Sequence, residues 1–384
     1  MGKRKVCVVT GTRAEYGLLY WLIRDLESAQ DFDLQLMATG MHLSPEFGLT
    51  YKVIESDGFA IDARVESLLS SDTPVGIAKS TGLGLIGFAD AFGRLAPDIV
   101  VVLGDRYEIL AAAFAAYIAR IPIAHIGGGE VTEGAVDEAI RHMITKMSSL
   151  HIVANETYRR RVIQLGEDPE SVHVGKNATL EYLDRASSLS REELEASLGF
   201  KLGRVNFLVT YHPATLGEDA SAGCTELLAA LDLFQEAKIV FTYPNSDTDG
   251  RVIIGMIEKF VERNIDRAAA FVSLGGARYL GCLAHFDVVI GNSSSGLIEA
   301  PTFRIPTVNI GERQRGRLRA ASVIDCRPER SDIANAVSRA LSPEFAEVTR
   351  SAVNPYCDAR APKSAIDILR GADLKGGMKK FFDI

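Results

Sequence analysis

Short runs of Val, Ile and Leu recur along the chain between stretches whose apolar residues repeat every three or four positions. Parallel strands covered by helices on both faces give this pattern, so the fold class is α/β. In the first half the runs predict strands at Val6–Thr10, Asp33–Ala38, Ile99–Leu103, Ile121–Ala124 and Leu150–Val153. The intervening segments read as helices; in Leu18–Ser28, for example, Leu18, Leu19, Leu22, Ile23 and Leu26 form one apolar face. The pattern weakens at residues 187–203, SSLSREELEASLGFKLG, a polar stretch that carries a helix and is read as the linker. A second α/β series follows, with strands at Asn206–Thr210, Lys238–Thr242, Ala270–Val272, Val288–Ile290 and Thr307–Asn309 and helices such as Glu226–Phe234 and Asp332–Leu341. No short-period repeat is present.

At 384 residues the chain exceeds what one hydrophobic core usually serves, so two lobes are expected, residues 1–186 and 187–362. The polar and Gly-rich residues collect just beyond the carboxyl ends of the strands. In the first lobe these are Gly-Thr-Arg (11–13), Gly-Met-His (40–42), Gly-Asp-Arg (104–106) and His-Ile-Gly-Gly-Gly-Glu (125–130). In the second they are Tyr-His-Pro (211–213), Tyr-Pro-Asn (243–245), Gly-Asn-Ser-Ser-Ser (291–295) and Gly-Glu-Arg (311–313). Open α/β sheets bind ligands at that edge, which predicts an active site in a cleft between the lobes.

Composition narrows the partners. With 47% hydrophobic and 24% charged residues the chain reads as a globular protein. A net charge of −8 leaves no surplus of Lys and Arg for nucleic acid or an anionic membrane, so an anionic ligand needs a local basic pocket. Five scattered cysteines (Cys7, Cys224, Cys282, Cys326, Cys357) fit neither a disulfide framework nor a zinc site and are expected as reduced thiols. The first apolar run, Val6–Val9, is too short for a signal sequence, and no run approaches the length of a membrane span, so a cytoplasmic location is expected.

The segment Gly291–Gly296 follows a strand and opens a helix expected near Leu297, so its amides and the hydroxyls of Ser293, Ser294 and Ser295 suit a diphosphate. The same serines would also serve as an ordinary helix cap. Glu299, one turn on, lies where a carboxylate can accept ribose hydroxyls or simply meet solvent. Arg13, at the tip of the first βα turn, offers a bidentate phosphate contact, with a structural ion pair as its other reading. Of the cluster Arg313, Arg315, Arg317 and Arg319, Arg313 is the one named for the ligand. His42 and Arg106 are further candidates at strand ends. His212 can contact phosphate or assist a leaving group. The stretch HIGGGEVTEGAVDEAIRHMITK (125–146) combines three glycines with Glu130, Glu133, Asp137 and Glu138 and a helix holding Arg141 and His142. Together with Asp105 these supply carboxylates for acid and base work, although acidic residues early in a helix also serve its dipole.

Taken in order, TGTRAEYG (10–17), GMHL (40–43), VLGDRYEI (102–109), HIGGGEVTEGAVDEAIRHMITKMS (125–148), HP (212–213), PNSDT (244–248), GNSSSGLIE (291–299), NIGERQRGRLRAASVID (309–325) and NPY (354–356) resemble the bacterial hydrolysing UDP-N-acetylglucosamine 2-epimerases of sialic and legionaminic acid synthesis. The resemblance spans nearly the whole chain. It implies two Rossmann-like, doubly wound domains facing each other across a cleft in the GT-B-like manner, a C-terminal helix (about 363–384) packing back on the first lobe, and commonly a homodimer. It implies neither metal nor nicotinamide, hence no cofactor. By that similarity Arg13, His212, Asn245, Ser293, Ser294, Glu299 and Arg313 hold the nucleotide, and Asp105, Glu130 and Asp137 surround the sugar. The implied reaction turns UDP-N-acetylglucosamine and water into N-acetylmannosamine and UDP through a 2-acetamidoglucal, with Asp105 and Asp137 moving protons and Glu130 or His212 supporting.

One position departs from the pattern: some relatives carry a Glu two residues after the His of this segment, where this chain has Gly127. Glu130 or a neighbouring position is then left to serve. The alternative substrate is the UDP- or GDP-linked 2,4-diacetamido-2,4,6-trideoxy sugar, which differs at C4 and C6, and residues around His42–Gly48 or Gly175–Leu180 are expected to discriminate. A GT-B glycosyltransferase, a non-hydrolysing epimerase and a non-enzymatic sugar-nucleotide sensor are the rival classes.

Overall fold

The computed structural model describes residues 2–71, 73–133, 135–176, 189–213, 220–244, 250–356, 363–373 and 379–384. The chain divides into two compact units, one made of Met1–Glu130, Val136–Tyr182 and Asp358–Ile384, the other of Val131–Ala135 and Leu183–Cys357.

The first unit is built on a parallel sheet of seven strands: β1 (Arg4–Thr10), β2 (Phe32–Thr39), β3 (Ala63–Val65), β4 (Ile99–Leu103), β5 (Ile123–Ile126), β6 (Leu150–Val153) and β7 (Val172–Val174). Their order is β3-β2-β1-β4-β5-β6-β7. Because strand side chains alternate between faces, Val6, Val8, Ile99 and Val101 pack with the helix Arg13–Ser28 in one core. Cys7, Val9, Val100 and Val102 pack in another with the helices Pro74–Leu95 and Tyr107–Ile118. The C-terminal segment joins this unit through a helix at Ala365–Gly371, shorter than expected, whose Ile366, Ile368 and Leu369 enter the first of these cores. Arg4 Nη1 donates to Leu369 O at 2.6 Å and Arg370 pairs with Asp31 at 2.7 Å.

The second unit holds six parallel strands, β8 (Val205–Thr210), β9 (Ala237–Thr242), β10 (Ala268–Phe271), β11 (Val288–Gly291), β12 (Thr307–Ile310) and β13 (Val323–Cys326). Their order, β10-β9-β8-β11-β12-β13, is that of a dinucleotide-binding doubly wound sheet. The polar stretch read as a linker carries the helix Arg191–Leu198, opened by a capping box between Ser190 and Glu193. Leu194 and Leu198 of that helix are buried with Leu208 and Val289, so it belongs to the core of this unit.

Strands β3, β7 and β13 were not anticipated. Each is only three or four residues long and interrupted by a polar residue, Arg64, His173 or Asp325. Among the described residues no helix is long and apolar enough to cross a membrane. Cys7, Cys224, Cys282 and Cys326 are free thiols.

Candidate active site

In the first sheet β1 and β4 are neighbours, yet the chain leads from β1 to β2 on one side and from β4 to β5 on the other. At such a switch point the loops diverge and leave a crevice at the carboxyl ends of the strands. The turns leaving it are Gly11–Arg13 and Gly104–Arg106, which place Arg13, Asp105 and Arg106 on this edge.

Arg141 organises the carboxylates of this edge. The helix Asp137–Met147 sets residues 137, 138 and 141 within one turn, and the Arg141 side chain is only 1% exposed. Its guanidinium binds the Asp105 carboxylate, donates to Glu138 Oε2 at 2.8 Å and donates to the Glu130 carbonyl at 2.9 Å. Burial works against its charge, but Asp105 and Glu130 outweigh that and hold the guanidinium above the usual arginine range. Glu138 also accepts from His142 Nε2 at 3.0 Å. Asp137 opens the helix and is half-buried. Glu130 is brought to the group through its backbone.

The turn before Asp105 is fixed from β5. His125 Nε2 bonds the Gly104 carbonyl at 2.8 Å, and that oxygen can only accept, so Nε2 carries the hydrogen. Nδ1 then accepts from the Thr145 hydroxyl at 3.2 Å, and burial pulls the His125 pKa down to about 3. Gly127, on the same loop, has φ +94°, a left-handed conformation that favours glycine, so the missing Glu matches the backbone here.

Two residues escaped the sequence reading. Arg106 Nε donates to Glu108 Oε1 at 2.8 Å, and both side chains are buried. Glu15 Oε2 accepts the Gly11 N–H at 2.8 Å. Burial first, then the neighbouring Glu108, push the Glu15 carboxyl up to about 8. A signal existed: Glu15 and Glu108 each stand four residues beyond the glycine that follows a switch-point strand, Gly11 and Gly104.

His42 requires a correction. It was expected to contact substrate, but it is fully buried, with Nε2 bonded to Thr10 Oγ1 at 3.0 Å and Nδ1 to Thr50 Oγ1 at 2.8 Å. Both ring nitrogens are committed inside the protein, and burial pulls the pKa to about 4. It is a neutral core residue that ties β1 to the turn after β2. Arg13 stands at the first position of its helix, behind the N-cap Thr12, and its charge helps keep His42 neutral.

The second sheet has its own switch point at β8 and β11. Here the backbone N–H of His212 donates to Asn292 Oδ1 at 2.7 Å, and Asn292 Nδ2 returns a bond to His212 O at 2.8 Å. Gly291, at φ +135°, allows the turn: a Cβ there would lie 1.9 Å from Thr210 O. The Asn292 carbonyl accepts from Arg313 Nη1 at 3.3 Å and Gln314 Nε2 at 2.8 Å. Arg313 Nε is buried without a hydrogen-bond partner among the described residues, which leaves a donor of a charged group at the serine turn. The other arginines of the cluster are engaged elsewhere, Arg315 with Glu133, Arg317 with Thr132 and Arg319 with Asp325.

The serine turn is not the start of a long helix. Ser295–Ile298 is a single turn, so a macrodipole adds little, and the anion-binding capacity rests on local N–H and O–H groups and on Arg313. Ser293 Oγ accepts from the Ser295 hydroxyl at 3.2 Å. Ser294 precedes that turn and Glu299 closes it, its N–H bonding Ser295 O at 3.0 Å. Asn245 lies outside the described residues, as do residues 177–180 of the second expected discriminating segment. Among the described residues no group of three or more His, Cys, Asp or Glu is arranged to hold a metal ion.

Two doubly wound parallel-sheet units, one with carboxylates and the other with serines and an arginine beyond its switch point, are an architecture that suits nucleotide binding. The UDP-N-acetylglucosamine 2-epimerase family model matches residues 24–370, and the chain belongs to that family. It is 42% identical to the GDP/UDP-N,N'-diacetylbacillosamine 2-epimerase (hydrolyzing) of Campylobacter jejuni, over 90% of this chain and 89% of the relative. It is 37% identical to the UDP-N,N'-diacetylbacillosamine 2-epimerase (hydrolyzing) of Legionella pneumophila, over 84% and 85% respectively. In fold it matches the UDP-GlcNAc 2-epimerase of Neisseria meningitidis bound to UDP-GlcNAc, with a TM-score of 0.75, 18% identity, and 92% and 96% of the two chains covered. With these relatives, the chain is a hydrolysing sugar-nucleotide 2-epimerase.

Proposed function

We propose that the chain acts on a nucleoside-diphosphate-linked 2,4-diacetamido-2,4,6-trideoxyglucose, inverts C2 and releases the nucleoside diphosphate and the free 2-epimer. Two relatives at 42% and 37% identity, both named for N,N'-diacetylbacillosamine, favour this substrate over UDP-N-acetylglucosamine, the first expectation from sequence. The observation that carries the chemistry is the buried Arg141, bound at once to Asp105, Glu138 and the Glu130 carbonyl.

The diphosphate and nucleoside belong to the β8/β11 crevice, where Arg313, the serines 293–295, His212 and Glu299 are available. Cationic and hydrogen-bonding groups there stabilise the departing diphosphate as the C1–O bond breaks. C2–H has no adjacent carbonyl and becomes acidic only as C1 gains oxocarbenium character. Asp105, held by Arg141, or Asp137 then takes the C2 proton, giving a glycal with loss of the diphosphate. Water adds at C1 while a proton returns to C2 from the opposite face, and the sum is hydrolysis with inversion at C2. Glu130 supports these transfers.

The test is a comparison of initial rates with the UDP- and GDP-linked diacetamido sugars and with UDP-N-acetylglucosamine, read as nucleoside diphosphate released. A kcat/KM at least tenfold higher for a diacetamido substrate is expected; preference for UDP-N-acetylglucosamine would return the assignment to the first expectation.

A further inference from the structure

A cavity of about 480 Å³ opens in the first unit at the carboxyl ends of β2 and β3, within the size range of small-molecule sites. Its lining joins the turn after β2, the segment after β3 and the helix Pro74–Leu95. Four leucines, Leu43, Leu68, Leu69 and Leu83, alternate with three serines and with Glu46 and Glu66. No Lys or Arg lines it. Two carboxylates and no cation exclude a phosphate as occupant, whereas leucines beside hydroxyls suit methyl groups and an amide.

The cavity adjoins the switch-point crevice. Gly40, in its wall, lies so close to the Gly11 turn that a Cβ there would sit 3.1 Å from Gly11 O and 3.4 Å from the Glu108 side chain. The next link is the backbone N–H of His42, which donates to Gly11 O at 3.3 Å. The cavity therefore borders the Gly11 side of the switch point whose other turn carries Asp105. Leu83 is 44% exposed on its helix, an apolar side chain left for a ligand to cover.

We propose that this cavity receives the C4–C6 edge of the sugar, the 4-acetamido and 6-methyl groups, and that Leu69 and Leu83 determine specificity for them. The inference rests on the substrate reading above and names the residues that enforce it. An apolar pocket separates substrates differing by a methyl-sized group by roughly 10–200-fold.

The test is the double variant Leu69→Gln/Leu83→Gln, neither residue belonging to the buried cores, with Leu83→Trp as a second variant that fills the cavity. The kcat/KM for the diacetamido nucleotide sugar is expected to fall about tenfold or more in both, while that for UDP-N-acetylglucosamine changes less than about twofold in the glutamine variant and falls in the tryptophan variant, whose ring takes the place of its 6-hydroxymethyl group. Equal losses on both substrates in the glutamine variant, or no loss on either substrate in the two variants, would overturn the cavity assignment and leave the substrate reading intact. Turnover of UDP-N-acetylglucosamine alone by the unaltered protein would overturn the substrate reading, and the cavity assignment with it.

Discussion

The side-chain amide of Asn292 is bonded twice to the backbone of His212, accepting from its N–H at 2.7 Å and donating to its carbonyl at 2.8 Å. This clamp joins two residues 80 positions apart across the β8/β11 switch point and fixes the direction in which the chain leaves β8. Both bonds are buried, so Asn292→Ala leaves a donor and an acceptor unsatisfied. We expect a loss of about 1–3 kcal/mol by urea unfolding, and weaker binding of nucleoside diphosphate by calorimetry. Asn292→Asp keeps the acceptor but sets a buried carboxylate oxygen against the His212 carbonyl, and is expected to lose at least as much.

Arg141→Lys keeps the charge but removes the planar fork that reaches Asp105, Glu138 and the Glu130 carbonyl together. We expect kcat to fall roughly a hundredfold with a smaller change in KM, because misplaced reacting groups slow chemistry more than binding. Arg141→Met leaves the carboxylates without their buried partner and is expected to cost about 3 kcal/mol in stability as well.

How far the chain could be read in advance depended on the range of the interaction. Ile99–Leu103 is legible because a strand buried on both faces is written as an unbroken apolar run, and Leu150–Val153 is nearly so, its one polar residue, His151, being buried on Glu167. The strand expected at Ile121–Ala124 starts at Ile123, after Pro122, which has no N–H for the ladder. Candidate residues were legible where they follow such strands, since a parallel sheet collects them at one edge. Their partners were not: Arg141 finds Asp105 across 36 positions, and His42 disappears into the core because Thr10 and Thr50 converge on it.

Glu15 makes stability fall as pH rises. Its folded pKa is raised from 4.5 to about 8 by burial and by Glu108. Below pH 4.5 both folded and unfolded states hold the proton. Between 4.5 and about 8 only the folded state does, so stability falls with a limiting slope of about 1.4 kcal/mol per pH unit. Glu15→Gln cannot ionise, and its unfolding free energy, measured from pH 5 to 8, is expected to be flatter than that of the unaltered protein. An unchanged slope would mean that Glu15 is ionised throughout.

The last residues cap the helix that holds Arg141. Lys379 Nζ donates to the carbonyls of Thr145, Lys146 and Ser148 at 3.2, 2.7 and 2.6 Å and pairs with Glu167 at 2.6 Å. Burial pushes the Glu167 carboxyl up, but bonds from His151, Lys146 and Lys379 win and hold it at about 2. This stabilisation is complete above pH 4.5 and is lost as pH falls towards 2. Lys379→Met is expected to cost about 1–2 kcal/mol at pH 7 and to speed amide exchange at residues 144–148, with Lys379→Arg restoring part of the protection.

The most direct test of the account is proton NMR of the purified protein turning over the UDP-linked diacetamido sugar in deuterated water, without added metal or nicotinamide. Removal of C2–H and its return from the opposite face predict a free manno-configured sugar carrying deuterium at C2, with one equivalent of UDP. A free sugar that keeps its original hydrogen and configuration at C2, or an epimer still attached to UDP, would contradict it.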